Sequence, residues 1–499
     1  MLTLAVATRF YRLGDASFWG DEIFTLKTAA LPWSTLWVTA YNPTPPLYYS
    51  IIRLMMDVSV SEWWLRLPSA VFGTLTVLFA YLATKKIWDS HAALASALLL
   101  TLSTSNIEYS QEGRAYALVG MCIVISFLGL ASLNAHWRKS TSEFTFSNFL
   151  KEGGALYGIG VLAALYSHNT AVFFWIAAQF FFLGWWVTPF KFSRTLLASW
   201  FAVNFLVLLL WLPWLFASLQ VIETDMFTWL RQYELQDAVR VWRLVNSIQP
   251  SHRLHILIDA VIMVLTFWGW IGLRKNVSMA SALFAMLVFS SIVIWAYGFI
   301  GTPVFIKRTV LWGSIFSFML VGIGISRLPL LAGRLVLIAL VCIGLAGFYN
   351  YNQTNKAENQ DWRSPAMIFN QQSSQDDILL FRTTWPAPAF LHYVDNDQTD
   401  RRVLGWSCRK RQPLFGKIHS NDVYSNVAWS ESNPGWGAGN ITASTVWVLQ
   451  SACSDSESVD VSNRWLAQNW KRANSYDFRQ VTLQQWVPKN SKRIKKSKE

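Results

Sequence analysis

Charge is what this chain lacks. Only 14% of its 499 residues are Asp, Glu, Lys or Arg, while 53% are hydrophobic and 28 are Trp, a balance too apolar for a soluble protein of this length. Cysteine is scarce as well. Of the four, Cys122 and Cys342 lie in apolar runs and are expected in the interior, and Cys408 and Cys453 lie in the polar C-terminal third. No Cys and His spacing suggests a zinc site. An oxidising compartment would allow a Cys408–Cys453 bridge, and spacing alone leaves that open. The formal charge of +13 comes mostly from short clusters between apolar runs, where orientation in a membrane accounts for it. No basic amphipathic stretch points to nucleic acid.

What is present is a series of apolar runs near the ~20 residues needed to cross a bilayer. They cover 66–86, 90–107, 115–135, 154–168, 170–187, 196–216, 254–273, 279–300, 309–326 and 333–349. An eleventh, residues 1–10, is too short to span; it reads as the outer end of a truncated helix, with an interfacial stub as the alternative. The expected fold class is therefore a polytopic α-helical membrane protein with about 11 transmembrane helices, in the inner or plasma membrane. Lys85-Lys86, Arg138-Lys139, Lys191 with Arg194, Arg274-Lys275 and Arg327 with Arg334 alternate with the runs so that all can be cytoplasmic together. That assignment leaves outside the start through Pro68, the loop 108–114, the turn at His168-Asn169, the loop 218–253, the turn 301–308 and everything after Asn350. Pro45-Pro46 opens LYYSIIRLMMDV, a helical pattern too short to cross and expected along the outer surface, with Trp63-Trp64 as an aromatic belt.

After Tyr349 the composition turns polar. Residues 377–381 and 445–450 read as buried strands, 362–371 and 459–470 as helices, and 478–487 as a terminal strand pair. The expected domains are 1–349 in the membrane, 350–488 as an extracytoplasmic α/β domain, and 489–499 as a basic disordered tail.

Carboxylates at a bilayer boundary are costly unless something uses them. Two such patches exist, Asp21-Glu22 in SFWGDEIF and Glu108/Glu112 in EYSQEGRAYAL, and the sidedness puts both on one face. Asp15, Arg114, Tyr116, His168, Lys307 and Arg308 fall on that face too. Lys307-Arg308 breaks the positive-inside pattern, so it is a candidate for an anionic ligand; the other explanation is snorkelling to the headgroups. Asp21-Glu22 also suits a helix N-terminus, the Glu108–Arg114 group a local salt-bridge cluster, and His168 a structural histidine. Trp19, Tyr41, Tyr48 and Tyr109 suit interface anchoring, with sugar stacking as the alternative.

The ordered series WGDE, NPTPPLYY, RLPSA, KKIW, EYSQEGRAYAL, LYSHNTAVFF and VFIKR, over roughly residues 9–326, resembles the GT-C glycosyltransferases. It is most similar to the bacterial branch of the protein O-mannosyltransferases and the lipid A aminoarabinose transferase. NQDWRSPA followed by DDILLF resembles the extracytoplasmic domain that many bacterial members carry. The resemblance implies transfer of a sugar from a polyprenyl-phosphate carrier to an acceptor hydroxyl on the outer membrane face, with inversion, among membrane lipids. It matches Asp21 to the general base, with Glu22 its companion. It matches Glu108, Glu112 and Arg114 to the second outer motif, and Lys307-Arg308 to a basic site before a late span. Thr44 stands where the aminoarabinose transferase has a basic residue before Pro-Pro, which leaves more of the phosphate binding to Lys307-Arg308.

Residue chemistry agrees with these roles. An attacking hydroxyl needs a carboxylate to take its proton, and a departing lipid phosphate needs fixed cations, here Arg308, Lys307 and Arg114. A divalent metal on Asp21 and Glu112 is compatible with the oxygen ligands; members of the superfamily differ in metal use and this sequence does not decide it. The sugar stays open, as does whether the acceptor is a protein, a lipid or a polysaccharide. A different class, a transporter or flippase for lipid-linked or anionic solutes, would place ionisable groups near the midplane; Asp259 is the main candidate.

Overall fold

The structure, a computed structural model, describes residues 1–38, 44–138, 145–186, 194–219, 230, 232–246, 248, 255–355, 360–395, 403–407, 412–419, 426–431, 438–451 and 456–489. Tyr41, Cys408, Cys453 and the tail beyond Lys489 lie outside these residues. The chain forms two compact units: residues 1–13 with 31–351, and residues 14–30 with 352–499. The expected break at 349/350 falls near the second boundary, but the stretch carrying Asp21 and Glu22 groups with the C-terminal residues.

The first unit is helical. Among the described residues, six helices are long and apolar enough to cross a membrane: Glu62–Ile87, Tyr116–Trp137, Arg194–Leu219, His255–Lys275, Val277–Tyr297 and Leu330–Gln353. Helices Ser90–Leu102, Ala171–Trp186 and Gly313–Ser326 are apolar but shorter. Arg194–Leu219 shows why these faces want lipid. Trp200, Val203, Val207 and Trp211 point into the unit, yet Phe205 on the opposite side is 65% exposed, so the helix is apolar all round. Cys122 is buried, but Cys342 is exposed on its helix rather than interior as expected.

Two polar features inside the apolar runs are tied to neighbouring side chains. Asp259, buried, pairs through Oδ2 with Arg243 Nε at 2.9 Å. Asn204 Oδ1 accepts from Tyr157 Oη at 2.9 Å, Trp175 Nε1 at 2.6 Å and Gln179 Nε2 at 3.1 Å, the kind of interhelical hydrogen bonding that holds membrane helices together.

The expected run 90–107 does not continue as one helix. It stops at Leu102, turns at Ser103 and resumes as Thr104–Ser110. Ser and Thr offer the backbone alternatives to helical bonds: Ser103 Oγ accepts from Asn106 Nδ2 at 3.0 Å, and Thr104 Oγ1 donates to Ile248 O at 2.8 Å.

The second unit carries a seven-stranded sheet, β1 (Ile378–Phe381), β2 (Val403–Ser407), β3 (Gln412–His419), β4 (Asn426–Glu431), β5 (Val446–Ser451), β6 (Trp470–Phe478) and β7 (Val481–Pro488), in the order β4-β3-β2-β1-β5-β7-β6. β1 runs parallel to β2 and β5, and the outer pairs are antiparallel. Ile378, Leu380, Leu404, Val446, Val448, Leu466, Trp470 and Trp486 form one core. Strands β1 and β5 and the helix Arg363–Gln372 fall where expected; the helix after β5 spans Ser456–Leu466, so Trp470 opens β6 instead of closing a helix. The terminal pair turns at Arg479-Gln480, with Gln480 at φ 54°.

Residues 14–30 belong to this unit by specific bonds. Ser17 Oγ donates to Gln360 O at 2.8 Å and accepts from Trp362 N at 3.0 Å. Phe18 N donates to Tyr393 Oη at 2.7 Å, and Phe18 meets the His392 ring edge-on at 5.4 Å. At Gly20 the approach is so close that a Cβ would stand 2.3 Å from Trp385 Cζ3.

Candidate active site

In the first unit, three stretches far apart in sequence meet: the Thr104–Ser110 helix with the loop after it, the turn between Ala155–Leu165 and Ala171–Trp186, and the short helix Lys307–Val310. Lys307 Nζ is ion-paired with Glu108 Oε2 and lies 5.4 Å from the centre of the Tyr109 ring. Tyr109 meets Tyr116 edge-on at 5.3 Å, and Tyr116 meets His168 at 5.6 Å. The Arg114 guanidinium sits 6.0 Å from the Tyr116 ring centre. Glu112 and Arg308 belong to the same group, for their charges act on Tyr109, and Arg114 and Arg308 act together on His168. Seven of the sequence candidates, Glu108, Glu112, Arg114, Tyr116, His168, Lys307 and Arg308, are thus brought together.

Burial, with Glu108, Glu112 and Tyr116 beside it and Arg308 opposing them, holds the Tyr109 phenol well above its usual range. For His168, burial and then the Arg114 and Arg308 charges push the imidazole down to about 3; it is neutral at physiological pH. Its Nδ1 accepts from Thr170 N at 3.2 Å and contacts Thr170 Oγ1 at 2.8 Å, which assigns the proton to Nε2. His168 is therefore a fixed neutral donor. Tyr48 and Tyr109, expected at the interface, are buried instead.

The sequence motifs turn out to be mutual supports. Tyr48 of PPLYY shares a 2.8 Å hydrogen bond with Ser69 of RLPSA, and Ser69 Oγ donates to Arg114 O of EGRAYAL at 3.2 Å. Leu47 N donates to Tyr166 O of LYSHNT at 3.0 Å. Gln111, which sequence reasoning assigned no role, donates from Nε2 to Thr8 O, Arg9 O and Tyr11 O at 3.3, 3.0 and 3.0 Å, satisfying carbonyls left over at the end of the Leu2–Phe10 helix. Its place inside the quoted EYSQEGR motif was the available signal.

Asp21 and Glu22 are in the second unit, in the first turn of Gly20–Ala29. Glu22 is buried and its carboxylate accepts from Trp19 N at 3.5 Å, while Asp21 is half-buried and its carbonyl accepts from Thr25 Oγ1 at 3.1 Å. Asp15 is exposed and Thr44 half-buried. Among the described residues no cluster of three His, Cys, Asp or Glu suits a metal ion.

No family model matches the chain and no curated protein matches it in sequence. Solved structures do match in fold. ArnT from Cupriavidus metallidurans in the apo state superposes with a TM-score of 0.58 at 10% identity, over 97% of this chain and 96% of that one. The same protein bound to undecaprenyl phosphate gives 0.53 at 11%, again over 97% and 96%. The archaeal oligosaccharyltransferase AglB from Archaeoglobus fulgidus, in complex with an inhibitory peptide and a dolichol-phosphate, gives 0.52 at 11%, over 79% of this chain and 62% of that one. Nearly end to end, membrane helices and C-terminal sheet together, this chain has the fold of the GT-C glycosyltransferases.

Proposed function

We propose that the protein is a membrane glycosyltransferase that moves a sugar from a polyprenyl-phosphate carrier to an acceptor hydroxyl on the extracytoplasmic face, with inversion. The observation that carries this reading is the gathering of Arg114, Arg308 and the Lys307–Glu108 pair, from separated segments, in a GT-C fold. In the reaction the acceptor oxygen attacks the anomeric carbon, the bond from that carbon to the phosphate oxygen breaks, and the hydroxyl proton passes to a carboxylate. Asp21 is the general base, with Glu22 in second place; Glu22's bond to the Trp19 backbone suits it to holding the helix start. Arg308 and Arg114 hold the departing phosphate by charge-assisted hydrogen bonds, and Lys307, which shares its charge with Glu108, keeps the acidic loop against the basic one. His168 offers a neutral Nε2–H.

The transporter reading has less support, because its midspan carboxylate, Asp259, is engaged by Arg243. The test is transfer from radiolabelled polyprenyl-phosphate sugars into lipid, protein and polysaccharide fractions, comparing the chain with Asp21→Asn. Loss of transfer by about 100- to 10,000-fold with normal insertion is expected for removal of a general base. Equal transfer by both forms removes Asp21 from the mechanism, and no transfer with any donor overturns the enzyme reading.

A further inference from the structure

Tyr109 and Tyr116 also line a small cavity of about 20 Å³. That is room for a single water-sized particle. Its walls include Arg9, Gly73, Thr76, Asn106, Ser110 and Trp312. The polar side chains among them are mostly committed elsewhere. Thr76 Oγ1 donates to Phe72 O at 2.8 Å, Ser110 Oγ to Asn106 O at 2.5 Å, and Asn106 Nδ2 to Ser103 and Ser314 Oγ at 3.0 and 2.9 Å.

Two donors stand apart. Arg9 is 1% exposed and Trp312 is 4% exposed, and Arg9 Nε and Trp312 Nε1 are both buried without a hydrogen-bond partner among the described residues. The rest of the Arg9 guanidinium is used: Nη1 reaches Thr8 Oγ1 and Thr101 O, both at 3.1 Å, and Nη2 reaches Leu100 O at 3.3 Å. Nε lies beside Gly73, where an added Cβ would be 3.2 Å from it and 2.0 Å from Ser110 Oγ; only glycine leaves that corner open. A guanidinium stays charged in proteins, and no carboxylate of the described residues pairs with Arg9. An unpaired buried charge is expensive, and the Leu100 and Thr101 carbonyls answer it only with partial dipoles.

We propose that this cavity is a site for a small monovalent anion of chloride size, held between Arg9 Nε–H and Trp312 Nε1–H. Charge and donors together select an anion, and the small space favours a monatomic one. The occupant neutralises Arg9 where the Leu2–Phe10 helix meets the start of the 104–116 motif, and so stiffens the wall on which Tyr109 and Tyr116 rest. The inference is independent of the glycosyltransferase reading.

The experiment uses the full chain in detergent and in crystals grown with bromide. The expected result is one anomalous bromide peak between Arg9 and Trp312, a melting temperature that rises saturably when gluconate is replaced by chloride at constant ionic strength, and loss of both in Trp312→Phe. That variant keeps the aromatic packing against Phe174 and Phe316 and removes only the donor, whereas an Arg9 variant risks misfolding. Absence of the peak, even with halide-dependent melting, means the cavity holds water only and overturns the proposal, as does a peak that persists unchanged in Trp312→Phe.

Discussion

The two acidic patches are held in opposite ways. Glu108 is answered by a side-chain cation brought from about 200 residues away, Lys307, and Glu112 and Arg308 act on the same Tyr109 in the Tyr109–Tyr116–His168 ring series. Asp21 and Glu22 stand in the first turn of a helix, where the dipole and the N–H groups of the helix start favour negative charge. A carboxylate neutralised by an ion pair is a poor proton acceptor, which makes Glu108, paired with Lys307, the weaker candidate for a base. In the proposed reaction the phosphate is assigned to Arg308 and Arg114 and the proton to Asp21.

The largest break in this comparison comes from Arg308. Arg308→Ala is expected to lower kcat/KM by about 100- to 1,000-fold, the size of losing one preorganised transition-state donor, with Arg308→Lys recovering only part because Lys lacks the planar fork. Activity within tenfold of the parent in Arg308→Ala would sink the phosphate role. Next in size is Gln111→Ala, which leaves the Thr8, Arg9 and Tyr11 carbonyls unanswered in a buried place. A stability loss of about 3 kcal/mol is expected, read by chemical unfolding in detergent; a change under ~0.5 kcal/mol would show that the clasp between the helix end and the motif carries no weight.

His168 sharpens the comparison from the pH side. Its folded pKa, about 3, lies below the unfolded value near 6.5, so between these two the unfolded chain binds the extra proton. Stability from this group is full above pH 6.5 and falls as pH drops through 6.5 toward 3. Between pH 6.5 and 5 the loss is about 2 kcal/mol, and His168→Gln should flatten that slope relative to the parent. Parallel slopes for the two proteins would refute the neutral buried assignment.

Much of this was legible in the sequence, and the gaps have physical causes. The apolar runs, the α/β tail and the charged candidates follow from composition and period, since burial in lipid or in a sheet leaves a local signature. Five of the seven candidates that converge, Glu108, Glu112, Arg114, Lys307 and Arg308, were picked for a cost, charge at a boundary, that a partner can offset. What escaped was set by long-range geometry. The break at Ser103 depends on Ile248 O arriving from elsewhere, and the grouping of residues 14–30 with the C-terminal unit depends on Tyr393 and Trp385. Strands β2, β3 and β4 were not read from the sequence either, because strand pairing at 403–431 is fixed by neighbours and not by a distinctive apolar period.

The smallest effect tests whether the Lys307–Glu108 pair is itself chemical or only a tie. Both side chains are about 30% exposed, Lys307 at 31% and Glu108 at 28%, so water screens the pair and a double-mutant cycle with Lys307→Met and Glu108→Gln should give a coupling of about 0.5–1 kcal/mol in stability. If the pair is a tie, the double variant regains most of the activity that either single variant loses, because the uncompensated charge is gone. If Lys307 instead holds the phosphate directly, Lys307→Met and the double variant are equally inactive while Glu108→Gln alone is not. The first pattern assigns the leaving group to Arg308 and Arg114; the second returns Lys307 to it and breaks the contrast between the ion-paired acid and the acids at the helix start.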